Sequence, residues 1–177
     1  MGTDDDRISV PDQGPILLAL YDHALPEVFG YLLPRCGSTS VAEDLTSETF
    51  VAAVTAVRDR KVPKLTTAWL VGVARHKLVD HWRREERETR RLRAVADDTD
   101  LVDDPWDAHL DSRRAHEVLT QLGAHHRAAL TLRYLDGLPV REVAACLDRT
   151  EHATEALLVR ARAAFRHTYE AGRDDGD

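Results

Sequence analysis

Cysteine is scarce: Cys36 and Cys146 are the only two in 177 residues, and neither has a second Cys or a His at metal-finger spacing. That excludes a disulfide framework or a structural zinc site and points to a reducing compartment, the cytoplasm. Long apolar runs are also missing. The longest aliphatic stretch is Ile16 to Leu20, against roughly 20 residues for a bilayer crossing, so no membrane insertion is expected. Asp4, Asp5 and Asp6 stand where a secretory leader would carry basic and then apolar residues. No phosphate loop, nucleophile elbow or HExxH motif occurs, and no segment shows the apolar–polar alternation of a strand. What is present is 43% apolar and 31% charged residues, the mix of a globular protein and not of a disordered or fibrous chain.

The net charge of −7 argues against a polyanionic partner until it is divided along the chain. Residues 1–55 carry net −7, residues 56–93 net +7, residues 94–118 net −6 and residues 119–177 net −1. Attraction to phosphate depends on local potential within a Debye length of about 8–10 Å. The basic block is therefore the place to seek nucleic-acid contacts, although RREERETRR within it equally suits a solvated, ion-paired helix.

Apolar residues at Leu17, Leu18, Tyr21, Leu25, Val28, Phe29 and Leu32 follow helical spacing, with Pro26 expected to kink the helix. Ser40 and Glu43 form a capping box for a second helix with Val41, Leu45, Phe50, Val54 and Val57 inward. A basic connection from Arg58 to Lys64 leads to a third helix. Thr66 or Thr67 caps it, and Trp69, Leu70, Val73, Leu78 and Trp82 form its buried stripe. From Ala96 to Asp111 seven aspartates surround Pro105, a composition too polar to bury. Periodicity resumes at Val118, Leu119 and Leu122, then Leu130, Leu132 and Leu135, and Asp136-Gly137 marks a turn. Helices from Val140 to Leu147 and from Glu151 to about Tyr169, joined by Asp148-Arg149-Thr150, have the layout of a helix-turn-helix. The chain reads as all-α: a tail at 1–15, a domain at 16–93, an acidic linker at 94–112, a domain at 113–169 and a tail at 170–177.

AEDLTSETF followed by AWLVGVARHKLVDHWRRE resembles region 2 of the bacterial sigma-70 family, in its extracytoplasmic-function (ECF) group. LGAHHRAALTLRYLDGLPVREVAACL and the closing RARAAFR resemble region 4. The resemblance implies a protein that binds core RNA polymerase and directs it to promoters, with no cofactor, no metal and no catalytic residue of its own. It places Asp44, Leu45, Glu48 and Phe50 against the clamp helices of the largest catalytic subunit. Without the resemblance, Leu45 and Phe50 would be core and the carboxylates a solvated face. It assigns Arg60, Lys61, Lys64, Arg75, His76, Arg83 and Arg84 to the melted minus-ten strand, with His76 where relatives carry Asn. It assigns Arg141, Arg149, Thr150, His152, Glu155 and Arg160 to minus-thirty-five DNA. Asp148 stands at the turn position where relatives have Gly. Glu155 and Leu157 replace Lys and Arg, which implies altered minus-thirty-five reading or a protein-facing surface. The polymerase flap and an anti-sigma factor are further implied partners, and the acidic linker is implied to thread the polymerase cleft.

Two other readings stand beside this one. A free-standing helix-turn-helix regulator would leave AEDLTSETF unexplained, and a sigma-like polymerase-binding protein without promoter activity would suit Glu155 and Leu157. A metal hydrolase built on His76, Asp80 and His81 fails on geometry: at about 100° per residue, His81 lies roughly 140° round the helix from His76.

Overall fold

In the computed structural model, residues 13–62, 64–92 and 112–174 are described. They are helical throughout apart from short connections, with no strand among them. The helices are α1 (Gly14–Cys36), α2 (Thr39–Arg58), α3 (Thr67–Leu92), α4 (Ser112–Gln121), α5 (Ala124–Leu130), α6 (Val140–Leu147) and α7 (Glu151–Asp174), with a π turn at Thr131–Leu135 after α5. The expected linker, up to residue 111, lies outside the described residues. The packing divides the chain into two compact units, Met1–Leu33 with Ser38–Lys77, and Pro34–Gly37 with Leu78–Asp177. The division passes through α3, whose back half belongs to the second unit.

In the first unit, α1 opens with Pro15 in its first turn, where no N–H is missed. It runs unbroken through Pro26, whose ring sits on the exposed side. Leu17, Ala24, Val28 and Leu32 are its buried stripe, whereas Leu18 and Tyr21, expected inside, are exposed. By length and composition α1 could cross a bilayer. A count of unbroken aliphatic residues misses this, because Tyr21, Ala24 and Gly30 keep the stretch apolar without forming aliphatic runs.

Helix α2 begins earlier than the Ser40 box implies: Ser38 is its cap, accepting from the Val41 N–H at 3.5 Å. Its inward face is Ala42, Leu45, Thr46, Thr49 and Ala53, while Val54 is exposed. The threonines fit inside because each hydroxyl donates to the carbonyl four residues back, Thr46 to Ala42 and Thr49 to Leu45, both at 2.7 Å. Thr66 caps α3, its hydroxyl accepting from the Trp69 N–H at 3.2 Å. Leu70 and Ala74 follow as its buried positions in this unit, and Trp69 is only half-buried.

In the second unit, Val118, Leu119 and Leu122 of α4 pack with Leu130, Ala161 and Phe165. Ala129, Leu157 and Leu158 form an adjoining cluster against Val140 and Leu147. Arg114 holds the far end of α7, donating to the Tyr169 carbonyl and lying 4.7 Å over its ring. Helix therefore continues to Asp174, past the expected end near Tyr169. Among the described residues Gly37 is the glycine that packing dictates: a Cβ there would meet Thr120 Cγ2 at 2.8 Å, and its φ is +68°.

The turn between α6 and α7 has the expected form. Asp148 adopts the left-handed region (φ 54°, ψ 49°), which Asp tolerates better than most residues. The Arg149 N–H closes back on the Ala144 carbonyl at 3.0 Å. Thr150 then caps α7, its hydroxyl accepting from Ala153 N–H at 3.2 Å.

Candidate nucleic-acid interface

The helical repeat sorts the side chains of α3 into two faces. Leu70, Ala74, Leu78, Val79 and Trp82 are buried. At about 100° per residue, His76, Arg84, Arg87 and Arg91 fall within one arc on the opposite side, and all four are exposed. Arg87 and Arg91 extend the sequence-derived set; their signal is the spacing of three and seven residues from Arg84. Arg75 and Arg83 lie off this arc and are half-buried, with Arg83 Nη2 donating to the Cys146 carbonyl at 2.7 Å.

The connection before α3 adds three exposed cations. Arg60 ends α2 in the left-handed region at φ 56°, its N–H on the Val57 carbonyl. Lys61 donates to Asp59 at 2.9 Å and holds that carboxyl below its usual range by hydrogen bond and charge. Lys64, three residues after Lys61, is exposed. Arg60, Lys61 and Lys64 thus offer a phosphate backbone three cations within five residues of chain.

Helix α2 presents a different surface. Asp44, Glu48, Val51 and Thr55 recur at helical spacing, and Val51 is 67% exposed. An open trough of about 640 Å³ runs beside them, lined by Glu48, Val51 and Thr55 and also by Ser47, Ala52, Asp59 and Lys77. Lys77 Nζ stands 3.5 Å from Glu48. Leu45 is 2% exposed and belongs to the core, so it offers no partner surface. Phe50 is half-buried with its ring edge-on to Tyr21, centroids 4.9 Å apart. The exposed apolar Val51 and Val54 are additions that the sequence conceals, since an apolar residue on an amphipathic helix reads as core.

On the helix-turn-helix, Arg141, Arg149, Thr150, His152 and Glu155 are exposed and Arg160 is half-buried. Thr150 spends its hydroxyl on the cap of α7. Glu151 and Glu155, four residues apart, share the face that opens α7, which sets two carboxylates where a phosphate would approach. Leu157 is 2% exposed and is not part of that face. Among the described residues, no group of three His, Cys, Asp or Glu is placed to hold a metal ion.

Sigma-70 region 2 matches residues 20–88, and Sigma-70, region 4 matches residues 112–165. The ECF RNA polymerase sigma factor SigL of Mycobacterium tuberculosis is 30% identical, covering 89% of this chain and 91% of SigL. The ECF RNA polymerase sigma factor BldN of Streptomyces coelicolor is 32% identical over 80% of this chain, which spans 56% of BldN. Among solved structures, the sigma factor RpoE of Bartonella quintana, in complex with the anti-sigma factor NepR, superposes with a TM-score of 0.54. That match is 19% identical and covers 88% of this chain and 97% of the other.

Proposed function

The chain belongs to the ECF group of the sigma-70 family, and on that premise we propose how its surfaces divide the work of binding core RNA polymerase and starting transcription at promoters. The stripe of Asp44, Glu48 and Val51 on α2 docks on the polymerase clamp helices, its carboxylates meeting basic groups around an apolar centre. Arg60, Lys61 and Lys64, with His76, Arg84, Arg87 and Arg91, hold the phosphates of the melted minus-ten strand. On this reading residues 16–93 serve polymerase and minus-ten DNA, and residues 113–169 serve minus-thirty-five DNA and the flap. The chain performs no covalent chemistry; nucleotide addition is the polymerase's. Its place of work is the cytoplasm, where polymerase and DNA are. An anti-sigma protein is the regulatory partner to look for.

The observation that carries this reading is the exposed cationic arc of α3, set on a chain whose formal charge is otherwise acidic. A second reading applies to α7 alone: Glu151 and Glu155 favour a protein contact over minus-thirty-five DNA at that face. Run-off transcription with core polymerase on a genomic library tests both. Promoter-specific transcripts should depend on the chain. An Arg84→Ala, Arg87→Ala double variant should retain polymerase in pull-down and lose at least tenfold in transcript. Promoters sharing only a minus-ten element would favour the second reading for α7. A chain that ignores polymerase yet holds duplex DNA unaided would overturn the proposal in favour of a free-standing regulator.

A further inference from the structure

The connection between α2 and α3 carries three of the cations assigned to the minus-ten strand, and its backbone is held at several points. Helix α2 ends with the Arg60 N–H on the Val57 carbonyl at 3.0 Å and the Lys61 N–H on the Ala56 carbonyl at 2.9 Å, the paired bonds of a Schellman turn. Such a turn needs a left-handed residue and usually takes glycine; here Arg60 supplies it at φ 56°. Toward α3, Leu65 is buried and the Thr66 hydroxyl caps the helix. Val62 is 3% exposed, so a buried side chain anchors the middle of a connection whose cations are exposed.

A further hold comes from far along the chain. Gln13 Nε2 donates to the Val62 carbonyl at 2.8 Å, across 49 positions. Gln13 is itself fixed by the start of α1, where the Leu17 N–H bonds the Gln13 carbonyl at 2.9 Å. Its Oε1 is buried and has no hydrogen-bond partner, a state that native structures rarely leave without a reason. Turning the amide over would set Oε1 against the Val62 carbonyl oxygen, acceptor against acceptor. Keeping the donor on Val62 is what orphans Oε1. We propose that Gln13 is a positioning residue for minus-ten capture: it sets the backbone of the connection so that Arg60, Lys61 and Lys64 stand ready for phosphate. This inference rests on the function proposed above.

A phosphate contact made by a mobile loop costs the ordering of that loop at the moment of binding, and a loop held beforehand avoids that cost. The left-handed Arg60 is backbone of the kind that persists only where its surroundings over-determine it. Gln13 carries no charge and spends its donor on Val62, so it acts through the cations and not beside them. It also precedes the region 2 match, which begins at residue 20.

A strand-binding titration tests the idea. Holoenzyme reconstituted with core polymerase would be titrated with a single-stranded oligonucleotide carrying the non-template minus-ten sequence of a promoter found by run-off. Gln13→Met keeps the length of the side chain and removes the donor. It should weaken strand binding about fivefold, the factor that one hydrogen bond of ordinary net strength carries, with polymerase affinity at the parent value. Thr49→Val, which removes a buried hydroxyl bond to the Leu45 carbonyl in the same unit, should leave strand binding unchanged. In a Lys61→Ala, Lys64→Ala background, Gln13→Met should cost less than about twofold, because a residue that acts through those cations has little left to position. Unchanged strand binding by Gln13→Met, an equal loss from Thr49→Val, a matching loss of polymerase affinity, or the full loss in the doubly substituted background would overturn the positioning and leave the sigma function standing. Should the Lys61→Ala, Lys64→Ala chain hold the strand as the parent does, the assignment of the connection to minus-ten DNA falls, and the positioning with it.

Discussion

The thiol of Cys36 shows what a single site's surroundings do to its chemistry. Burial pushes its pKa up to about 11, against partial relief from the Arg127 and Arg35 guanidinium groups, with Glu85 adding to the rise. Only the thiolate attacks an alkylating agent, and raising the pKa from 9 to 11 cuts the thiolate population at a given pH about a hundredfold. Iodoacetamide at pH 8 should therefore modify Cys36 about a hundredfold more slowly in the native chain than in urea, as mass spectrometry of the Cys36 peptide would show. Equal rates would sink this account. The linkage follows: unfolded Cys36 ionises first, so its contribution to stability is intact below pH 9 and is lost as pH rises toward 11. Nothing in the sequence around Cys36 announces this, because the leading cause is burial, which tertiary packing decides. Leu157 misleads for a related reason. Ala153 and Ala156 beside it leave the phase of α7 open, and an apolar residue at a family contact position reads as a lost contact until packing shows it buried. Asp148 is legible because its constraint is local: a tight turn needs a left-handed residue, and Asp supplies one.

Helix existence is written plainly in the apolar spacing, while starts and inward faces are less so. The Ser40-to-Glu43 pattern is a valid capping box that the chain does not use, since Ser38 caps α2 and Ser40 lies in its first turn. The sequence offers two nearby serines, and the choice between them is settled by how α1 ends at Cys36 and turns at Gly37. Thermal melts distinguish the two. Ser40→Ala should stay within about 0.5 kcal/mol of the parent, as for exposed sites without special contacts. Thr66→Ala should cost about 1 kcal/mol through loss of a used cap, and Ser38→Ala somewhat less, given its 3.5 Å contact. A larger loss from Ser40→Ala than from Thr66→Ala would restore the box. The π turn at Thr131–Leu135 has no sequence signal. Its wide bond, Asp136 N–H to the Thr131 carbonyl at 3.0 Å, accompanies the entry of Leu132 into the core, where it is fully buried, while Leu135 swings out to 45% exposure. On α3 the cationic arc is half-legible: Arg84 stands out beside the tryptophan stripe, and its partners one and two turns on are hidden among the intervening glutamates.

Across the whole molecule, segment charge carries more information than total charge, because the basic block is one helix and its approach while the acidic excess sits elsewhere. The two domains are legible as two motif sets in order. The polar contacts within the second unit are not, since they join residues 42 positions apart in Glu85 and Arg127 and 63 apart in Arg83 and Cys146. Arg127 is buried, and its Nη2 rests on the Glu85 carboxylate. Glu85→Gln keeps the shape and removes the charge, at a cost of about 1–3 kcal/mol. In urea denaturation the Glu85→Gln chain should lose stability in that range, with Glu88→Gln within about 0.5 kcal/mol of the parent. Superimposed denaturation curves for the two variants would mean that the Glu85 carboxylate, 40% exposed, gives Arg127 little that water does not.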